Sequence, residues 1–189
     1  MISLGVLADT HVPDRMRSLN PHILPIFREA QVEAILHAGD VCVQSVLDEL
    51  SQVAPVYAVG GNRDLWALRG LPKVQQLTFG GVQIVLTHGH IGLLTYLEDK
   101  IVSVVKGLEP DRYINRLVES YPYAGAIVFG HIHTRINLRI QQTLVFNPGS
   151  ACCPSEQNEQ NLTPSIGLLH IRTGGEVEAE FIDIERPRI

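Results

Sequence analysis

Seven residues whose side chains can donate oxygen or nitrogen to a cation each lie just past a short apolar run. Asp9 and His11 follow "ISLGVLA" in "DTH", Asp40 closes "HAGD", and Asn62 follows "VGG" in "VGGNRD". His88 ends "VLTH", and His131 and His133 end "FGHIH". Taken singly, each has an ordinary role. Asp9 reads as a helix cap or Asx turn, Asp40 as a cap for the helix that follows, and Asn62 as a turn residue. His88 and His131 read as buried, hydrogen-bonded imidazoles. Taken together, they form a pattern that packing does not require. In an open α/β sheet the carboxyl ends of the strands line one edge, so residues distant in sequence gather there.

The donor set suits two cations. Asp9-x-His11 and His131-x-His133 place ligands two residues apart, which in an extended stretch sends both side chains to the same side. Gly39, Gly61 and Gly130 precede ligands and let backbone and ion approach closely. Imidazole, carboxylate and amide donors without thiolate suit Mn, Fe, Co, Ni or Zn and are too nitrogen-rich for a dedicated Ca or Mg site. Cys42, Cys152 and Cys153 fall outside the set. Their odd number and lack of C-x-x-C spacing argue against a disulfide framework and for a reducing, cytoplasmic setting.

The elements that must position these residues follow from apolar periodicity. Strands are predicted at Ile2 to Ala8, in "VEAILHAGD" and in "PVYAVGGN". A hairpin turns at Gly80-Gly81, and further strands lie in "AGAIVFGHIH" and on either side of Gln141-Gln142. Two alternating strands, "SIGLLHI" and "EVEAEFIDI", are joined at Thr173-Gly174-Gly175. Helices are predicted at Pro21 to Ala30, at Val43 to Val53 and within about 91–122. Strand–helix–strand units followed by hairpins imply two mixed sheets face to face with helices outside. With 189 residues, 45% hydrophobic and 19% charged, the chain has apolar material for one domain with a real core. Its net charge of -5 argues against a partner as basic-patch-dependent as long nucleic acid. No apolar run reaches the roughly 18 residues of a membrane span.

The order "DTH", "GDV", "GNRD", "THGH", "GHIHT" resembles that of the calcineurin-like metallophosphoesterase superfamily. "NPGS" at Asn147 to Ser150 also resembles its small prokaryotic branch of single-domain phosphodiesterases. The resemblance implies a four-layer α/β-β/α sandwich over a single domain, 1–189. It implies one divalent ion held by Asp9, His11, Asp40 and His133. A second would be held by Asp40, Asn62, His88 and His131, with Asp40 shared. Mn is the first candidate for both, with Fe, Zn, Co or Ni as alternatives. A hydroxide between the ions would attack phosphorus in line with the leaving alkoxide, and the ions and Asn62 would stabilise the charge that builds on the phosphoryl oxygens.

Two features depart from the family pattern. Many relatives carry a histidine after the asparagine, where it serves as general acid; here the residue is Arg63. An arginine does not donate its proton near neutral pH but can clamp phosphate, and its plainer role is a surface salt bridge, with Asp64 as the nearest partner in sequence. His90 of "THGH" is the alternative acid or substrate contact, or a loop or supporting histidine. Without a strong acid the chain should favour good leaving groups such as aryl esters. The segment at 91–122 is the second departure. Its amphipathic stripe, Ile101, Val102, Val104 and Val105, reads as an extra helix on the sheet, or else as a lid or homo-oligomer contact.

The leading expectation is thus a phosphoesterase acting on diesters or small phosphorylated metabolites, with no membrane partner. The alternatives are a non-catalytic scaffold, such as the retromer subunit of the same superfamily, and a nuclease on short oligonucleotides.

Overall fold

A computed structural model describes residues 1–64, 68–89, 110–152 and 163–185. The elements are, in chain order, β1 (Ile2–Leu7), α1 (Ile23–Glu29), β2 (Ala34–His37), α2 (Gln44–Ser51), β3 (Val56–Ala58), β4 (Val74–Phe79) and β5 (Val82–Thr87). Then come α3 (Pro110–Ser120), β6 (Ala126–Val128), β7 (Arg135–Ile140), β8 (Thr143–Pro148), β9 (Ser165–Ile171) and β10 (Val177–Asp183). They form two five-stranded sheets, ordered β10-β9-β1-β2-β3 and β4-β5-β6-β8-β7. Both sheets are mixed. β1, β2 and β3 run parallel in the first, and β5, β6 and β8 in the second. The first triplet continues antiparallel through β9 on one side and ends at β3 on the other, whereas the second has an antiparallel strand on each side.

Residue alternation explains the layering. Leu4, Val6 and Leu36 of the first sheet meet Ile84, Leu86, Val128 and Phe146 of the second, which closes the two sheets over a shared core. The opposite face of the first sheet places Leu7, Ile35 and Leu168 against Phe27 of α1 and Val46 and Leu50 of α2. The opposite face of the second places Val85, Ile127 and Val145 under Tyr113, Ile114 and Leu117 of α3. The central strands are therefore buried on both faces, which is why they read as apolar runs rather than as alternating ones. Each such large side chain withdrawn from water contributes about 1.5–3 kcal/mol before ordering costs. The result is the four-layer sandwich that the motif order implied, with α1 and α2 on one outside and α3 on the other.

The hairpin turns at Gly80-Gly81 as predicted, and β7 and β8 meet at Gln141-Gln142. The first helix starts at Ile23, two residues later than its apolar pattern suggested. The side chain of Asn20, not a helix residue, accepts the His22 amide at 3.0 Å and starts the turn. Of the segment at 91–122, α3 is described and its apolar face lies on the second sheet; His90 and residues 91–109 lie outside the described residues. Cys42 is a free thiol, whereas Cys152 is disulfide-bonded, a pairing the cysteine spacing did not foretell. Among the described residues, no helix is long and apolar enough to cross a membrane.

Candidate metal centre

The carboxyl ends of β1, β2 and β3 carry Asp9 and His11, Asp40, and Asn62. Those of β5 and β6 carry His88 and the pair His131 and His133. Face-to-face sheets bring these loops together. His11 Nε2 lies 3.2 Å from His133 Nε2, and His133 Nε2 lies 3.4 Å from Asp9 Oδ1. Asn62 Oδ1 lies 3.2 Å from His88 Nε2 and 3.1 Å from His131 Nδ1. Asp40 stands between the two sets, with Oδ2 3.9 Å from His11 Nε2 and Oδ1 3.5 Å from His88 Nε2. Among the described residues, two groups have ligand atoms close enough for one ion: Asp9, His11 and His133, and Asp9, Asp40 and His88. All seven residues singled out from the sequence therefore converge, and Asp9 belongs to both groups.

The chemistry of the cluster fits cations. His88 Nδ1 lies 2.7 Å from the Ala38 carbonyl, which can only accept, so Nδ1 carries the hydrogen and Nε2 offers a lone pair to the centre. Asp9 Oδ1 and His11 Nδ1 are buried without a hydrogen-bond partner, a state that costs free energy in a protein interior unless something else meets the demand. Burial would raise the Asp9 carboxyl, but His133 foremost, then His88 and His11, overcome it and hold Asp9 well below the usual carboxylate range. Burial raises Asp40, with the Asp9 charge adding to the effect and His88 opposing it. Burial lowers His11 to about 4 against the opposing pull of Asp9. Two carboxyl groups and four imidazoles packed in one largely buried place make a site that a divalent charge would relieve.

The backbone differs from the extended stretch that the spacing of two suggested. Asp9, His11, Asp40, His131 and His133 all have φ between 50° and 74°, in the left-handed region that non-glycine residues seldom enter. His131 and His133 consequently diverge, one toward Asn62 and His88, the other toward Asp9 and His11. Such conformations persist only where surroundings over-determine them. Here the Asp9 amide donates to the Gly39 carbonyl at 3.0 Å and the His11 amide to the Asp40 carbonyl at 3.1 Å. The His131 amide donates to Asp9 Oδ2 at 3.1 Å, tying the second sheet to the first. Two of the glycines are required by close approach: a Cβ on Gly61 would collide with the Asp40 carboxylate, and one on Gly130 would lie 2.7 Å from the Ala38 carbonyl oxygen.

Several residues that hold this arrangement were not singled out from the sequence. Asp64, only 1% exposed, accepts three backbone amides: Asp40 at 2.9 Å, Gly61 at 2.8 Å and Cys42 at 2.7 Å. It staples the Asp40 loop to the Asn62 loop and makes no pair with Arg63. Arg63 pairs instead with Asp14, at 2.9 Å, because the Asp64 side chain turns inward to the amides while that of Arg63 turns out. The Arg63 amide donates to Asp40 Oδ1 at 2.8 Å. Asn147 donates to the Gly130 carbonyl at 2.9 Å and accepts the Gly149 amide, and Ser150 donates to the Asp9 carbonyl at 3.0 Å. These contacts give "NPGS" a positioning role. Thr10 Oγ1 lies 3.2 Å from Nε2 of His37, a fully buried histidine behind the site, and the Tyr113 ring of α3 lies 5.8 Å from that of His131. The pairings of buried Asp64 and Asn147 depend on three-dimensional placement; the only sequence signal is their recurrence within "GNRD" and "NPGS".

Residues 2–174 match the calcineurin-like phosphoesterase superfamily domain, and the chain belongs to that superfamily. A probable metallophosphoesterase of the archaeon Methanothermobacter thermautotrophicus is 30% identical over 190 residues, covering 97% of this chain and 94% of its own. Among solved structures, wild-type Vps29 of Entamoeba histolytica in complex with Zn superposes with a TM-score of 0.72 at 22% identity, over 96% of this chain and 99% of that one. An archaeal phosphodiesterase superposes with a TM-score of 0.65 at 22% identity, over 96% of this chain and the whole of the other. At that identity the two structures establish the fold. Family membership and the clustered ligands together support divalent-metal binding and a metal-dependent phosphoesterase.

Proposed function

We propose that this chain is a phosphodiesterase of small substrates, one domain over 1–189, that cleaves a P–O bond with two divalent ions. Asp9, His11, Asp40 and His133 would hold one, and Asp40, Asn62, His88 and His131 the other, with Mn as the first candidate for both. The observation that carries this reading is the position of Asp40, whose two carboxylate oxygens face His11 and His88 respectively. Bound ions would make hydroxide available near neutral pH and neutralise charge on the phosphoryl oxygens. The chain's own part is orientation. Asn62, whose Oδ1 faces His88 and His131, would turn its amide NH₂ toward the phosphoryl group, and the Ala38 carbonyl fixes the tautomer in which His88 presents Nε2. Arg63 supplies a cation at the rim and no transferable proton, so departure of the leaving group depends on its own acidity.

The test is direct. Protein stripped of metal and reloaded with Mn should bind about two equivalents, as the two ligand sets imply, and hydrolyse bis-p-nitrophenyl phosphate. Asp40→Ala should lose both ions and at least ~100-fold in rate. Unchanged activity in that variant refutes the shared-ligand assignment. Metal content below one equivalent in the wild-type protein would instead favour a scaffold.

A further inference from the structure

We propose that the Asp14–Arg63 ion pair guards a second anion subsite beside the metal centre, so that the preferred substrates carry another phosphate or carboxylate near the scissile phosphate. The inference rests on the function proposed above and extends it to a substrate class.

Four observations carry it. A cavity of about 450 Å³ is lined by Pro13, Asp14, Cys42, Asn62 and Arg63, so it adjoins a candidate metal ligand. Its cation is anchored at the base, because the Arg63 amide is bonded to the Asp40 carboxylate. Its anion is placed by a tight turn after His11, in which the amides of Arg15 and Met16 both return to the His11 carbonyl. The two side chains then meet at 2.9 Å while 45% and 42% exposed.

An ion pair that exposed is worth little and is exchanged readily. A guanidinium binds phosphate or carboxylate with a paired, planar geometry that a lone Asp14 contact does not exhaust. A substrate anion entering the cavity therefore competes with Asp14 for Arg63. Asp14 sets the threshold of that competition: a substrate with a neutral second arm leaves the pair intact, and one with an anionic arm replaces Asp14.

Binding separates this inference from the proposed reaction. Mn-loaded wild-type protein, Asp14→Asn, Arg63→Met and the double variant, matched for metal content, are titrated calorimetrically with three probes. Methylphosphonate carries one anionic group, phosphonoacetate adds a carboxylate, and methylenediphosphonate adds a second phosphonate. Asp14→Asn should bind both two-headed probes about fivefold tighter, and Arg63→Met about tenfold weaker, with methylphosphonate changed less than about twofold in either. The gain from Asp14→Asn should vanish in the double variant. The ratio between the two-headed probes then assigns the subsite to carboxylate or phosphate. Equal gains for all three probes would show a general charge effect and overturn the inference, as would an Arg63→Met protein that binds the two-headed probes like wild type. If the pattern holds while bis-p-nitrophenyl phosphate goes uncleaved, the subsite stands and the proposed reaction falls.

Discussion

Replacing Asp64 by asparagine changes one atom of a side chain that touches no candidate metal ligand side chain, yet it should disable the site. The carboxylate accepts the Asp40 and Gly61 amides on Oδ2 and the Cys42 amide on Oδ1. Asparagine has a single oxygen. Turned toward Asp40 and Gly61, it sets its NH₂ against the Cys42 amide, donor facing donor; turned the other way, it orphans two amides. Hydrogen bonds to a charged group are each worth roughly 1.5–3 kcal/mol, and a buried donor left unpaired costs about 1–3 kcal/mol. Asp64→Asn should thus lose about 3 kcal/mol, and Asp64→Ala, which orphans all three, about 5 kcal/mol. Both are large shares of the roughly 5–15 kcal/mol that holds a domain of this kind folded. Urea unfolding of metal-free protein measures the loss as a lower midpoint with an unchanged slope. Because Asp64 fixes the Asp40 loop, metal affinity should also fall about 10- to 100-fold, read by competition with a chelating dye. An Asp64→Asn protein with the wild-type midpoint and metal affinity would refute the stapling role.

Two further outcomes follow from residues behind the site. Burial holds His37 near 4, against an opposing pull from Asp64 and Asp9, so it stays neutral in the fold while the unfolded chain takes up a proton near 6.5. The unfolded state then binds more protons between those values, and the metal-free protein should lose stability as pH falls from 6.5 toward 4, by about 1.4 kcal/mol for each unit of separation. Urea midpoints across that range should fall less steeply in His37→Asn, and equal slopes would count against the assignment. Asn147→Ala removes a donor to Gly130 and the acceptor of Gly149, both buried, and should cost about 2–4 kcal/mol. A thermal midpoint within about 2 °C of wild type, which corresponds to about 0.5–1 kcal/mol in a chain this long, would exclude that role.

The positions of the candidate ligands were legible because strand ends are legible: a run such as "ISLGVLA" is bounded by a change of polarity, and the order of the motifs did the rest. Their conformation was not. A spacing of two suggests an extended chain for His131 and His133, but both residues are left-handed, which is set by contacts such as that from the His131 amide to Asp9, 122 residues away. Arg63 and Asp64 are adjacent and opposite in charge, which invites a pairing between them. Burial decides otherwise, since the cost of enclosing Asp64 is offset by three amides and Arg63 stays in solvent beside Asp14. Asn147 and Ser150 stand within a recognisable motif, but their duties toward Gly130 and Asp9 depend on two sheets being stacked. The hairpin at Gly80-Gly81, by contrast, is a local event and was read correctly from local chemistry.

The candidate ligands are divided between the two sheets, with Asp9, His11, Asp40 and Asn62 on one and His88, His131 and His133 on the other. Each proposed ion would therefore be a rivet through a seam rather than an ornament on one surface. Prising the sheets apart would require both rivets to come out first. Bound metal should then hold the two halves of the molecule together, so that loaded protein parts its sheets less often than stripped protein does.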